Sequence, residues 1–381
     1  MVKANRSAMA LIFPNIYDGL VPELTSERLM ASIPFGGRYR MIDFILSSMV
    51  NSGIDNVSIL VRENYFSLID HLGSGREWDL ARKNGGLTIF PPFAQNTISI
   101  SNGRVEGIES ILGFIKNQKE KYVVISDTNI AYNIDFAKII DEHIKNGADV
   151  TVLYSKTDIP QAAKDAIDTS KGLYYTFDLN DDSTINKISI NSKDDGVQNL
   201  SMNIYVIERE LLIEKIQDAY VNGGKYFERD ILIPHLDELK IVAREYDGYI
   251  ARVYDMVSYF NENMKLLDDE NLDALFGKNP VYTKIRDDNP TRYIAGAKSA
   301  NTLVADGCII EGEVENSILF RGVKVGKGAI VKNCILMQDT VIEAGAKVDH
   351  VITDKKVTIS AEKEVKGTDT FPVYISKRTT I

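Results

Sequence analysis

The sequence predicts two folded units in series, an α/β domain on a mostly parallel sheet and then a parallel β-helix. Two observations predict this arrangement. Apolar strands alternate with amphipathic helices through residues 1–276, and aliphatic residues recur at every sixth position within residues 294–381. Between the two units, residues 277–293 contain two prolines and clustered charges without any period, which is typical of a domain linker.

The elements of the first unit follow in order. The apolar run "AMALIF" predicts the first strand. In "RYRMIDFILSSMVNSG", apolar pairs recur every four residues before Gly53, which predicts an amphipathic helix with a glycine cap. The β-branched residues 56–62 predict a second strand, and residues 122–126 and 149–155 predict buried strands around a helix over 134–148. Such alternation builds the crossover units of a mostly parallel sheet.

The second unit is predicted from aliphatic columns, since a spacing of six fits neither an α-helix nor a simple alternating strand. In a parallel β-helix each six-residue block forms one side of a triangular coil, and stacked coils bury the columns. Short antiparallel strands are the alternative. The three columns are Val323, Ala329, Ile335 and Val341; Ile330, Leu336, Ile342 and Val348; and Val325, Val331 and Met337.

Composition narrows the classes of function. The chain has 381 residues and a net charge of −10, which argues against wholesale binding to nucleic acid or an anionic membrane. No apolar run approaches the length of a membrane span, so we expect a cytoplasmic protein. Cys308 and Cys334 lie in aliphatic surroundings, and we expect two buried thiols rather than a disulfide or a metal site.

The loop after the first strand is unusual. In α/β domains this loop often meets the phosphates of a nucleotide, and glycines let its backbone approach them. Here the loop carries Pro14, Ile16, Tyr17 and Pro22, with Gly19 as its single glycine. We therefore expect a loop that does not hold a triphosphate.

Several stretches together indicate a family. The segments "IPFGGRYRMIDFILSSMVNSGI", "WDLARKNGGLTIFPPF", "SMNIYV" and "SILFRGVKVGKGAIVKNCILMQDTVIEAGAKV" closely resemble bacterial glucose-1-phosphate adenylyltransferase, from about residue 9 to residue 354. The resemblance implies a Rossmann-like nucleotidyltransferase domain followed by a left-handed β-helix. The family's reaction joins ATP to glucose 1-phosphate, with Mg²⁺ and basic side chains neutralising the phosphates.

The positions that carry this chemistry in the family are changed in this chain. Aligned on the neighbouring motifs, the glycine loop falls on residues 14–19, and neither metal-binding carboxylate nor either phosphate-binding cation is retained. The family's loop arginine corresponds to Leu20, its lysine to Met30, its first metal-binding aspartate to Asn129 and its second to Arg252, while a further lysine corresponds to Asn191.

This pattern resembles the non-catalytic D-type companion subunit that some Gram-positive bacteria make beside a catalytic C-type subunit. The resemblance implies a regulatory subunit of glycogen synthesis in a heterotetramer with the catalytic adenylyltransferase subunit, with self-association as a further possibility. We expect no cofactor on this chain, because Mg²⁺ would be used by the partner, and no nucleic acid or membrane partner. One alternative is an active sugar-phosphate nucleotidylyltransferase with substitute ligands, and another is a β-helix acyltransferase with His350 as base.

Two aspartates flank the changed metal position. Asp127 is either a substitute metal ligand or an exposed loop or capping carboxylate, and Asp135 lies on the other side. Ser201 matches a sugar-pocket residue of the family, and the side chain of Asn203 is expected to narrow that pocket.

Arg28 and Arg40 match family positions near a phosphorylated effector. They are candidates for binding a sugar-phosphate or nucleotide effector; the alternative is surface arginines or intersubunit ion pairs. His71 and His143 stand singly on helical segments and are interpreted as structural, and Trp78 is expected to pack a loop.

Overall fold

A computed structural model describes residues 7–92, 103–159, 164 and 174–381. Residues 1–6 of the predicted first unit and Phe93, the last residue of the second quoted motif, lie outside the described residues. The strands of the first unit are β1 (Ala8–Phe13), β2 (Pro34–Phe35), β3 (Tyr39–Arg40), β4 (Asn56–Leu60), β5 (Gly86–Phe90), β6 (Tyr122–Asp127), β7 (Ile130–Tyr132), β8 (Val150–Asp158), β9 (Tyr175–Leu179), β10 (Ile185–Ile190), β11 (Val197–Glu208), β12 (Ile241–Glu245) and β13 (Ile250–Arg252).

Helices cover and connect these strands. The α-helices are α1 (Pro22–Thr25), α2 (Met41–Asn51), α3 (Phe66–Leu72), α4 (Arg104–Ser110), α5 (Leu112–Lys116), α6 (Phe136–Asn146), α7 (Arg209–Val221), α8 (Met256–Met264) and α9 (Asp269–Phe276). Short 3₁₀ turns lie at Asp18–Leu20, Met30–Ser32, Arg76–Trp78, Ile233–His235 and Lys265–Leu267, and one π-helical turn spans Glu228–Leu232. None of the described helices is long and apolar enough to cross a membrane.

The central sheet is parallel on one side and mixed on the other. Strands β5, β4, β1 and β6 lie side by side and all run parallel, so the predicted crossover units are confirmed there. Strand β11 runs antiparallel to both β6 and β8. The chain reaches β11 through the β9–β10 hairpin rather than through a crossover helix, so the sheet is mixed on this side.

Local signals set the helix boundaries. The side chain of Asp43 accepts the backbone N–H of Arg40 at 2.9 Å at the start of α2. Asp135 caps α6 by accepting the backbone N–H groups of Ala137 and Lys138. Helix α6 ends at Gly147, whose φ of +56° is the left-handed conformation that glycine adopts without strain.

The second unit is a parallel β-helix, as predicted. Register partners such as Val325 and Ile342, or Val331 and Val348, are 17 residues apart along the chain and adjacent in space. Its strands are β14 (Arg292–Tyr293), β15 (Lys298–Val304), β16 (Ile309–Ile310), β17 (Glu313–Leu319), β18 (Lys324–Val325), β19 (Ile330–Lys332), β20 (Ile335–Leu336), β21 (Val341–Ile342), β22 (Lys347–Asp349), β23 (Val351–Thr353), β24 (Thr358–Ile359), β25 (Glu364–Lys366) and β26 (Val373–Ile375).

The predicted columns are correct only in part. Ile335 and Met337 lie in the apolar cluster shared with the first unit, and Ile330 and Val341 are only partly buried, whereas the other members lie in the coil interior. Val325 and Val331 lie in the coil interior, but Met337, predicted to continue their column, lies in the apolar cluster shared with the first unit. Because a coil has 17 residues rather than 18, one side advances by five, and Leu336 takes the interior place. Cys308 and Cys334 are buried free thiols in this unit, as expected.

The two units share an extensive apolar interface. Ile318, Phe320 and Ile352 of the coil pack in one cluster with Phe35 and Tyr259 of the first unit. This contact places the loop before α2 against the outer face of the coil. A second candidate site therefore lies between the two units.

Candidate functional site

The candidate cleft lies where β1 and β6 end. Phe13, the last residue of β1, pairs with Asp127, the last residue of β6. The loops that follow are joined as well, since the hydroxyl of Thr128 donates to the carbonyl of Pro14 at 3.2 Å. In open α/β sheets ligands bind outside the carboxyl ends of such strands, so this is where a nucleotide would be expected.

A buried charge network fills this position. Arg104, at the start of α4, donates through Nε and Nη2 to both carboxylate oxygens of Asp127. Its Nη1 donates to Glu228, which also accepts the hydroxyl of Tyr205. Arg104, Asp127 and Glu228 are 4%, 3% and 0% exposed, so the network is sealed from water.

The interpretation of Asp127 as an exposed loop or capping carboxylate is wrong, because the side chain is buried against Arg104. Burial raises the pKa of Asp127 to about 6, although the charge of Arg104 acts in the opposite direction. The substitute-ligand interpretation is also disfavoured, since both carboxylate oxygens already accept hydrogen bonds from Arg104.

Sequence reasoning missed Arg104 and Glu228. Both stand in largely apolar runs, "GRVEGIESIL" and "YFERDILIP", where a buried charge needs a partner. That signal marks the two residues but does not pair them, because they are 124 residues apart along the chain.

The loop after β1 is closed by Tyr17. Its side chain is 3% exposed, and its hydroxyl accepts a hydrogen bond from the side-chain amide of Asn203 at 2.5 Å. Burial, and next the charge of Asp127, raise the pKa of Tyr17, so the phenol stays neutral. Ser201 lies in the same place, its hydroxyl accepting the backbone N–H of Asn203 at 3.0 Å. Asn203, whose side chain is expected to narrow a sugar pocket, therefore also holds the loop after β1 in place.

Asn129 and Arg252 lie side by side. Val253 donates its backbone N–H to the carbonyl of Asn129 at 2.9 Å, and β13 pairs with β7 through Arg252 and Ile130. Arg252 donates through Nη1 to the carbonyl of Ser201 at 2.9 Å. The structure thus brings together the positions of both family metal ligands, but with an amide and a guanidinium in place of carboxylates.

Mg²⁺ does not fit this arrangement. The ion needs anionic oxygen ligands, whereas Arg252 brings a positive charge and Asp127 is engaged by Arg104. Within the described ranges, no group of three or more histidine, cysteine, aspartate or glutamate side chains could hold a metal ion.

Leu20 and Met30 lie in the apolar cluster at the junction of the two units, which also contains Ala251 and Val253 on either side of Arg252. Met30 is fully buried there, and Leu20 packs against its edge. Their apolar side chains replace family cations with core contacts. Asn191 lies at the end of β10 and exchanges hydrogen bonds with the backbone of Tyr174.

A basic cavity of about 390 Å³ lies between the two units. Arg40 belongs to it and is held by hydrogen bonds from Nη1 to the carbonyl of Ser67 at 2.6 Å and to its hydroxyl at 3.0 Å. Asp70 is the one aspartate on its wall, and it is paired with Lys284 at 3.1 Å. The cationic side chains on the wall are Arg38, Arg40, Lys284, Arg286, Arg321 and Lys355.

Burial sets the ionisation of this cavity. Desolvation, and next repulsion from Arg40 and Arg28, lowers the pKa of Lys355 to about 7. Desolvation also lowers the pKa of Arg40, to about 10. Converging cations whose charges are costly to bury make a site suited to a compact anion such as a phosphate group.

Arg28 is not a surface arginine, because its guanidinium is buried against a carboxylate of the same chain. It is 3% exposed, and its Nη2 donates to both carboxylate oxygens of Asp354 of the coil, at 2.7 and 2.8 Å. Sequence reasoning placed it beside Arg40 in an effector site, but its donors face Asp354, the residue next to Lys355, rather than the cavity.

The single histidines have neighbours consistent with structural roles. His71 lies 2.6 Å from Asp43, and His143 lies 2.8 Å from the hydroxyl of Thr151. Trp78 is fully buried with its ring against that of His71. His350, the candidate base of the acyltransferase hypothesis, is held between the carboxylates of Asp349 and Asp369.

Comparisons with known proteins agree with this architecture. A nucleotidyl transferase family model matches residues 20–164, and a GlmU-like C-terminal hexapeptide model matches residues 286–371. The chain is 33% identical to the glycogen biosynthesis protein GlgD of Bacillus subtilis (strain 168) over 374 residues, which is 98% of this chain and 96% of that protein.

Two further relatives show the same similarity. A glycogen biosynthesis protein GlgD of Geobacillus stearothermophilus is 36% identical over 86% of this chain and 83% of its own length. A glucose-1-phosphate adenylyltransferase of Bacillus mycoides (strain KBAB4) is 31% identical over 90% of this chain and 89% of its own.

Proposed function

Because the chain belongs to the glucose-1-phosphate adenylyltransferase family and is similar to its GlgD members, we propose that it is a catalytically deficient regulatory subunit. It acts in glycogen biosynthesis in the cytoplasm, beside a catalytic subunit that makes ADP-glucose from ATP and glucose 1-phosphate. The partner supplies the chemistry and Mg²⁺, and this chain adjusts the partner's activity.

The observation that carries the proposal is the filled cleft. The guanidinium of Arg104 pairs with the carboxylates of both Asp127 and Glu228 where a nucleotide would sit, and Tyr17 closes the loop beside them. A triphosphate entering here would displace buried ion pairs without gaining a metal ion. Adenylyl transfer depends on positioned cations and Mg²⁺ around the reacting phosphates. In this cleft the guanidinium of Arg104 is already engaged by two carboxylates.

A subunit that catalyses no reaction can affect its partner only through contacts that differ between two conformations of the partner. It favours one conformation of the partner by binding that conformation more tightly. The basic cavity between the units gives a place for a phosphorylated effector, and Arg40, one of the two arginines predicted to bind an effector, lines it. An anion bound there contacts both units at once. Its binding can therefore favour one arrangement of the two units at the interface with a partner.

The coil offers a surface for assembly. Among the described strands, β15 is hydrogen-bonded only to β17, so its other edge is open over Lys298–Val304. An open strand edge needs covering, and a second subunit can cover it. We propose a heterotetramer with two subunits of each kind, and homo-oligomers when the partner is absent.

The decisive experiment is co-expression with the catalytic subunit from the same organism. We expect a stable complex, measured by native mass, whose kinetics or effector response differ from those of the catalytic subunit alone. A catalytic subunit that neither binds this chain nor changes its kinetics in its presence would refute the proposal.

A second assay addresses the isolated chain. With ATP, glucose 1-phosphate and Mg²⁺ we expect turnover far below an ordinary enzyme rate of about 1–1000 per second. Asn129→Asp alone should not restore it, because Arg252 and the Arg104 network remain. Turnover within about tenfold of that ordinary range would instead favour an active nucleotidylyltransferase.

A further inference from the structure

Two buried carboxylates of the cleft share one cation, and that cation is a side chain. The guanidinium of Arg104 donates through Nε and Nη2 to Asp127 and through Nη1 to Glu228. The three residues belong to separate elements, since Arg104 begins α4, Asp127 ends β6 and Glu228 begins the π-helical turn. The guanidinium therefore joins three elements from the space between two acidic side chains.

The two carboxylates have capacity for more positive charge than they hold. Asp127 and Glu228 bring two negative charges, and Arg104 brings one positive charge. Oε1 of Glu228 accepts from both Arg104 and the hydroxyl of Tyr205. The other oxygen, Oε2, is buried and has no hydrogen-bond partner within the described ranges. A buried acceptor of this kind is satisfied by a cation or a donor, not by an anion.

The charge of Arg104 is permanent. Burial by itself acts to lower its pKa, but the charges of Asp127 and Glu228 outweigh burial and hold the pKa well above the ordinary value. The guanidinium also lies 5.8 Å from the ring centroid of Tyr205, a distance at which an aromatic ring attracts a cation.

The backbone that carries Arg104 is held close to the turn of Glu228. A Cβ added at Gly103 would lie 2.0 Å from the carbonyl oxygen of Lys225, so a side chain at that position would push the two segments apart. Val105 donates its backbone N–H to the same carbonyl at 3.1 Å. The start of α4 is thus fixed on both sides of Arg104.

We propose that the guanidinium of Arg104 is a tethered replacement for a divalent cation, and that Asp127 and Glu228 form the cation site that it fills. Carboxylate oxygens are the ligands that Mg²⁺ and Mn²⁺ prefer. The residues of this site are not those at the two changed metal positions, Asn129 and Arg252. Because a side-chain cation cannot dissociate, the cleft is held shut at any concentration of Mg²⁺.

The test removes the tethered cation and supplies a free one. Arg104→Ala leaves two buried carboxylates without their counter-ion, so in EDTA its melting temperature should fall below that of the unaltered chain. Mn²⁺ should restore most of the loss and should bind in calorimetric titration with about one ion per chain. The unaltered chain should melt at the same temperature in EDTA and in Mn²⁺, because its site is filled.

Arg28→Ala is the matched control, because Arg28 is similarly buried but pairs with a single carboxylate, that of Asp354. Its melting temperature should also fall, and Mn²⁺ should not restore it. Adding Glu228→Gln to Arg104→Ala removes one of the two charged ligands. Mn²⁺ binding should then weaken by about tenfold or more.

A second pair of variants keeps the inference testable if Arg104→Ala does not fold. Arg104→Lys keeps a tethered positive charge, whereas Arg104→Gln removes the charge and keeps a hydrogen-bonding side chain. In EDTA the lysine variant should melt at a higher temperature than the glutamine variant.

Three results would overturn the inference. One is equal stability of the lysine and glutamine variants, including failure of both to fold. Another is a folded Arg104→Ala chain that Mn²⁺ neither binds nor stabilises. The third is Mn²⁺ that stabilises the unaltered chain as much as Arg104→Ala. None of these measurements involves turnover or complex formation, which test the proposed function separately.

Discussion

Single side chains decide the character of the cleft. Arg104 holds two carboxylates that would otherwise be buried without a counter-ion, and Tyr205 and Tyr17 complete the seal through Glu228 and Asn203. The same cleft keeps a second arginine, Arg252, whose charge is not consumed. Arg104 is thus a structural cation, whereas Nε and Nη2 of Arg252 have no hydrogen-bond partner among the described residues.

Replacing Arg104 tests the structural cation. In Arg104→Met, Asp127 and Glu228 lose their partner inside the protein, and we expect the free energy of unfolding to fall by about 3–5 kcal/mol. Chemical denaturation measures this change. Lys138→Met, at an exposed position of α6, is the control and should stay within about 0.5 kcal/mol. A loss below about 1 kcal/mol for Arg104→Met would show that the network is solvated.

We predict that the affinity of the basic cavity for anions depends on pH through Lys355. Its lowered pKa, about 7, means that the free chain loses this charge as pH rises through 7. A bound anion favours the charged ammonium, so affinity should be highest below pH 7 and fall above it, by at most about tenfold per pH unit. Sulfate is the suitable probe, since it does not titrate in this range.

The measurement is sulfate affinity between about pH 6 and about pH 8. In Lys355→Met the affinity should be lower and nearly independent of pH. Of the other described residues on the wall, His71 is the one whose ordinary pKa lies near neutral pH. Its pKa is lowered mainly by burial, and it contacts Asp43. A pH dependence that survives Lys355→Met would assign the effect to another group.

Helices and strands with a strong hydrophobic periodicity could be predicted from the sequence. A strand whose place depends on long-range pairing could not. Strands β1, β4, β6 and β8 and helices α2 and α6 stand within a few residues of their predicted positions. The antiparallel strand β11 was not predicted, because its direction depends on the hairpin before it rather than on its own residues.

The candidate site likewise contains positions that the sequence predicted and positions that it did not. The changed positions Leu20, Met30, Asn129 and Arg252 could be assigned by resemblance, since each is adjacent to a recognisable motif. The network of Arg104, Asp127 and Glu228 could not, because three charges far apart in sequence do not reveal that they meet. Met337 was misplaced for a different reason: a single omitted residue in each coil turns a side chain from the interior to the interface.

The cap of α6 can be tested by itself. In Asp135→Ala, the backbone N–H groups of Ala137 and Lys138 lose their acceptor, and we expect a loss of about 0.5–2 kcal/mol in unfolding free energy. Asp135→Ser keeps an oxygen at the cap and should recover most of the stability in the same denaturation experiment. Equal stability of the alanine and serine variants would mean that the cap contributes nothing.

The two units of the molecule meet at one interface, which has an apolar part and an ionic part. Apolar side chains of both units share a cluster, and the buried pair of Arg28 and Asp354 crosses beside it. Asp354 also accepts the hydroxyl of Tyr374 at 3.0 Å, and its chain neighbour Lys355 lines the basic cavity. An anion in the cavity therefore lies one residue from the ionic contact that joins the units.

Arg28→Met tests this contact. It leaves Asp354 buried without its cation, so we expect a loss of about 3–5 kcal/mol and earlier separation of the coil from the first unit on unfolding. Lys377→Met is the matched control, because Lys377 pairs with Glu27 across the same interface but in solvent. It should cost no more than about 1 kcal/mol. Equal effects of the two variants would show that burial of the pair is unimportant.

Trp78 is the one tryptophan of the chain, and its ring centroid lies 5.8 Å from that of His71, a residue that lines the basic cavity. The molecule thus carries an intrinsic optical probe one residue away from that cavity. Changes in indole emission can follow the filling of that cavity in solution, without labels and without engineering the protein.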